Sequence, residues 1–205
     1  MKTFKATFLL FAITIFASVI LFISCSKNDD KPILAAITNP YPVENFLNGY
    51  LTTTGFNQQT INVASTSGYY NYGVVFKPKV NGTINAVVIK LPSSDGDVVV
   101  RIWKVYTQAL LKSLSVIVPT NNLEVTTLID KLPLLKDEEY VITMKVISWF
   151  DRKKTDSSSI SFPVDVNNIK ITGFISDSQN VFPYVERNNV YLHHGDISFN
   201  FQQTQ

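Results

Sequence analysis

The chain has 205 residues, one cysteine, and 18 Lys and Arg against 16 Asp and Glu. One cysteine excludes an intramolecular disulfide and a thiolate metal site, so stability has to come from an apolar core, which a chain of this length can build. Lys2 and Lys5 belong to the N-terminal leader described next. Without them basic and acidic residues balance, which leaves no electrostatic footprint for nucleic acid.

The first stretch fixes an address. Lys2 and Lys5 form a short positive region, and an apolar run broken only by Thr14, Ser18 and Ser24 follows up to Cys25. That run is about 15 residues long, short of the roughly 20 that a spanning helix needs. Phe22-Ile23-Ser24-Cys25 resembles a lipobox, although Phe22 and Ile23 depart from the usual Leu and small residue. The expectation is a signal peptide over residues 1–24, lipid attached to Cys25, and a tether over 25–50 ahead of a domain over 51–205. Acyl chains hold a protein to a bilayer at about 0.8 kcal/mol per buried methylene. Cys25-Ser26-Lys27-Asn28-Asp29-Asp30 looks like the start of Gram-negative surface lipoproteins, which implies the outer membrane and its outer face.

Pro40 and Pro42 interrupt the tether, and a short helix is expected over 43–47, opened by Pro42 and ended by Gly49. From Gly55 onward the pattern is short strands between turn residues: 60–63, 72–76, 83–91, 98–106, 108–118, 123–129, 140–147, 160–164 and 169–174. Asn81-Gly82 reads as a hairpin turn. The 83–91 strand is apolar on both faces and so interior. Lys136-Asp137-Glu138-Glu139 reads as a charged turn. In the last strand Ile197, Phe199 and Phe201 alternate with Ser198, Asn200 and Gln202, the pattern of a half-buried antiparallel strand. The expected class is all-β, an antiparallel sandwich.

Several short motifs follow one another in a recognisable order. They are Gly73-Val74-Val75-Phe76, Gly82-Thr83-Ile84-Asn85-Ala86, Val100-Arg101-Ile102-Trp103, Leu110-Leu111, Tyr140-Val141-Ile142-Thr143 and Asp196-Ile197-Ser198-Phe199-Asn200-Phe201. This order resembles a bacterial domain of unknown function found on lipoproteins and beside carbohydrate-active modules. The resemblance runs over about residues 70–202. It implies a jelly-roll-like sandwich that binds glycans or presents a surface, and it carries no catalytic residues.

Chemistry-bearing residues are few. His193 and His194 are adjacent, so on a strand they face opposite ways and cannot share a metal. No nucleophile elbow supports a Ser-His-Asp site. Glu138-Glu139 is the densest acidic spot, better read as a solvated turn than as the paired carboxylates of a glycosidase. No metal, cofactor or catalytic residue is assigned. The aromatics carry the remaining interest, because sugar rings lie on flat apolar faces beside a few polar groups. Trp149, Asp151 and Arg152, expected in a loop after a strand, are the first candidates. Tyr69, Tyr70 and Tyr72 are the second cluster, and Phe182, Tyr184 and Arg187 the third. The leading expectation is a non-enzymatic surface lipoprotein that binds a glycan or another extracellular ligand. An adhesion or accessory subunit meeting a surface protein comes second, and a hydrolase third.

Overall fold

The structure is a computed structural model that describes residues 40–204 apart from 65–67, 179–180 and 189. The leader, Cys25 and most of the tether lie outside the described residues. What is described is an all-β antiparallel sandwich, as expected. Its strands are β1 (Val43–Asn45), β2 (Gln58–Val63), β3 (Tyr70–Pro78), β4 (Gly82–Lys90), β5 (Asp97–Lys104), β6 (Ala109–Ile117) and β7 (Glu124–Leu134). They continue with β8 (Tyr140–Val146), β9 (Ser148–Lys153), β10 (Val164–Val166), β11 (Ile169–Asp177), β12 (His193–His194) and β13 (Asp196–Gln203). One helix, α1 (Phe46–Thr54), follows β1.

Three sheets result, ordered β1-β13-β4-β7, β10-β11-β3-β8-β5-β6 and β12-β9-β2. The first two form the sandwich. Their facing side chains make one core, with Ile84, Ile89, Phe199 and Phe201 from the four-stranded sheet against Val74, Phe76, Ile102 and Ile142 from the six-stranded one. Phe76 and Phe199 meet across the layers at 4.6 Å, and Phe46 of α1 lies 4.9 Å from Phe199. β4 runs between β13 and β7, and the double-sided burial expected for 83–91 is met over residues 86–89, while Thr83, Asn85 and Lys90 are half-buried. Ile197, Phe199 and Phe201 face the core as their alternation requires, and Ser198 is buried as well, donating to Asn45 Oδ1 at 2.6 Å.

The helix differs from its expected bounds. Residues 43–45 pair with β13, Asn45 caps α1 by accepting from the Leu47 amide, and Gly49 lies inside the helix. The stop is Gly55, whose left-handed φ of 74° lets its amide reach the Leu51 and Thr52 carbonyls. Phe46, Leu47 and Tyr50, which fall within the stretch read as tether, are buried in the core.

Asn81-Gly82 is not a hairpin turn, since β3 and β4 belong to different sheets. The glycine answers a close approach: a Cβ at Gly82 would fall 2.2 Å from the Phe201 ring and 2.7 Å from the Gln202 carbonyl. Asn81 ties the junction, accepting from the Lys136 amide at 2.8 Å through its side chain and from the Thr204 amide at 2.9 Å through its carbonyl. The strand expected over 160–164 is also displaced. Ile160 makes only an isolated bridge to Val190, and pairing resumes at Val164 in β10.

The outer face of the six-stranded sheet carries a smaller cluster. Val75, Val141 and Ile175 lie under Phe182 and Val185, and Trp103 meets Phe182 edge-on with ring centroids 6.0 Å apart. The segment from 181 onward therefore packs on the sheet as a cover. It is held by paired backbone bonds of 2.9 Å between Phe174 and Glu186 and by the Ile160–Val190 bridge. A bulge between Ile171 and Gly173 brings the Glu186 carbonyl so near that a Cβ at Gly173 would lie 2.8 Å from it.

Candidate functional site

Trp149, Asp151 and Arg152 lie on a strand, not in a loop. β9 is the middle strand of the small sheet, with β2 on one side and β12 on the other. Successive side chains of a strand point to opposite faces. Trp149 and Asp151 therefore share one face, and Phe150 and Arg152 the other.

On the first face Asp151 gathers three partners. Trp149 Nε1 donates to Oδ1 at 2.8 Å, His194 Nδ1 bonds the same oxygen, and Asn62 Nδ2 donates to Oδ2. The register explains the set, because His194 stands opposite Asp151 and Asn62 opposite Trp149. An ionised carboxylate only accepts, so His194 carries its proton on Nδ1 and Nε2 is the ring atom left for a ligand. Tyr72 packs 4.8 Å from Trp149 and 5.2 Å from His194, and Tyr70 stacks on Tyr72 at 5.9 Å with ring planes 9° apart. Burial holds the Tyr72 hydroxyl well above its ordinary pKa, and the nearby Asp151 charge adds to the effect. Tyr69 stands at the edge of this group, half exposed, with Lys145 Nζ 4.7 Å over its ring.

The opposite face is structural. Arg152 donates through Nε to Asp196 Oδ1 at 2.8 Å and through Nη2 to Oδ2 at 2.5 Å, and the Asp196 side chain is 1% exposed. His193, opposite Arg152, is enclosed by Tyr50, Phe56 and Phe174. Burial pushes it down to about 4, against the pull of the Asp196 carboxylate. The two histidines point apart, as their adjacency on a strand requires.

Thus the first candidate trio is divided. Trp149 is 8% exposed and its indole N–H is taken, so it supports Asp151 and offers no open platform. Arg152 is engaged on the far side of β9. The open surface lies next door, at a cleft of about 300 Å³ lined by Phe174, Ser176, Tyr184, Glu186, Tyr191 and His194. Tyr184 and Tyr191 are 73% and 62% exposed, two broad aromatic faces beside one histidine and one carboxylate. Glu186 is steadied by accepting from the Asn188 amide at 2.8 Å.

The third cluster separates too. Phe182 covers the sheet, Tyr184 borders the cleft, and Arg187 binds Glu139 through two bonds of 2.9 and 2.7 Å. Burial works against ionisation of Glu139, but Arg187 and Thr172 more than offset it and hold the carboxyl below its ordinary pKa. Glu138 pairs instead with Lys104, so the two glutamates serve different neighbours. Tyr191 and His194 went unassigned as ligand contacts in the sequence. The signal for His194 was its spacing from a strand bearing Asp151, which only the β9–β12 pairing makes legible.

No protein-family model matches the chain, and no curated protein matches it either.

Proposed function

We propose that this chain is a lipid-anchored protein of the outer membrane, facing outward, whose sandwich binds a glycan in the cleft between Tyr184 and Tyr191. The anchor reading rests on the apolar run that ends at Cys25 and on the acidic pair just behind it. The observation that carries the binding reading is the pairing of two exposed tyrosines with His194, whose ring is fixed from behind by Asp151. Aromatic faces supply apolar stacking area with little side-chain entropy to lose. His194 Nε2 and the Glu186 carboxylate would bond ring hydroxyls and set orientation. Trp149, Asn62, Tyr70 and Tyr72 act behind that surface as its support.

The experiment is a glycan-array screen of the full-length chain in detergent. Binding to one polysaccharide class, weakened at least tenfold by Tyr191→Ala, supports the reading; binding unchanged in that variant contradicts it. Cys25→Ala is expected to move the protein from the membrane fraction to the soluble one, and retention would contradict the anchor. A protein partner is the second reading. It is favoured by exposed Leu110, Ile117 and Leu128 on β6 and β7, edge strands of their sheets.

A further inference from the structure

Three depressions share the segment around 181–191 as a wall. The tyrosine cleft is the first. A second, of about 590 Å³, contains both Tyr184 and Arg187. A third, of about 480 Å³, contains Arg187 together with Lys77, Lys79, Lys170 and Phe162. Tyr184 thus joins the first to the second, and Arg187 the second to the third. The two residues are three apart in sequence, at most about 10 Å of chain.

The third groove carries net positive charge, with Lys77, Lys79, Lys170 and Arg187 in its lining against Asp137 and Glu139. Lys77 and Lys170 are directly opposite each other in the β3–β11 register. Like charges at such positions work against the sheet. The neighbouring acids are shared with other cations. Glu139 lies 3.9 Å from Lys77, yet it already accepts two bonds from Arg187 and one from Thr172 at 2.7 Å. Asp165 is opposite Lys170 in the β10–β11 register, but its ion pair, at 3.6 Å, is with Lys79. Phe162 gives the groove one apolar wall.

We infer that Lys77 and Lys170 receive the carboxylate or sulfate groups of an acidic saccharide chain, a neutral ring face of which lies in the Tyr184–Tyr191 cleft. The inference rests on the glycan reading of that cleft and adds the chemical class of the ligand and the direction in which it runs.

The test measures binding of the full-length chain in detergent to polygalacturonate, to its methyl-esterified form and to chondroitin sulfate. Wild type is compared with Lys77→Ala/Lys170→Ala and Tyr184→Ala/Tyr191→Ala. Wild type is expected to prefer an acidic polymer over the ester at least tenfold at low salt, with the preference shrinking as salt screens it. The lysine variant should lose the preference and keep its binding of the ester, while the tyrosine variant should lose both. Comparison of the two acidic polymers assigns the preference to carboxylate or sulfate. The inference is overturned if wild type binds no acidic polymer, binds acid and ester equally, or keeps its preference in the lysine variant. Loss in the lysine variant with no change in the tyrosine variant overturns the cleft reading instead, and with it the shared ligand. Thermal melts of both variants confirm folding.

Discussion

The two faces of β9 are built from neighbouring residues and serve opposite ends. On one, Arg152 and His193 sit inward, the first closed on Asp196 and the second caged by rings. On the other, Trp149 and Asp151 hold His194 at the edge of an open cleft. A strand of six residues thus divides its labour: on the inner face Arg152 and Asp196 close on each other, and on the outer face Asp151 fixes His194 at the border of the cleft.

Breaking the inner face has the largest expected effect. Arg152→Ala strands the buried Asp196 carboxylate, a loss of about 3–5 kcal/mol. Denaturant unfolding measures it, and a loss under 1 kcal/mol would show that water reaches Asp196. Next comes acid. His193 binds a proton at about pH 4 in the folded chain and near 6.5 when unfolded. Between those values the unfolded chain holds more protons, so its contribution to stability is complete above about pH 6.5 and is lost as pH falls toward 4. The loss reaches about 3 kcal/mol. His193→Leu, packed by the same rings, should flatten that part of the pH–stability profile; an unaltered slope would place its origin in other groups.

The outer face should yield smaller stability changes and larger binding changes. Asp151→Asn removes the charge that collects three donors and is expected to cost about 1–3 kcal/mol. It should also weaken glycan binding severalfold by releasing His194, which titration of the variant at constant temperature would detect. Tyr184→Ala is expected to leave stability within about 0.5 kcal/mol, as for surface positions generally, while lowering affinity at least tenfold. Equal losses of stability on both faces would erase the distinction between them.

Much of this architecture can be read from residue patterns. The alternation of Ile197, Phe199 and Phe201 and the double-sided apolar run in β4 report burial directly, because each strand meets the core through a period of two. Features set by distant neighbours are harder to read. Gly82 looks like a turn residue and is instead small for the sake of Phe201, a residue 119 positions later in the chain. Asp151 and Arg152 look like one polar pair, and the strand that separates them becomes visible only when β2 and β12 flank β9. Tyr72 and Trp149 were legible as neighbours in kind, but their role as support for His194 depends on a pairing across more than forty residues. The cleft itself depends on the Phe174–Glu186 bridge, which no local motif announces.

The most direct test pairs two readouts on two variants: the melting temperature and the polysaccharide affinity of Arg152→Ala and Tyr191→Ala. The expected result is crossed, with Arg152→Ala melting far lower yet binding normally at temperatures where it stays folded, and Tyr191→Ala melting like wild type yet binding at least tenfold more weakly. A Tyr191→Ala protein that binds as wild type does, or an Arg152→Ala protein that keeps its melting temperature and loses binding, would contradict it.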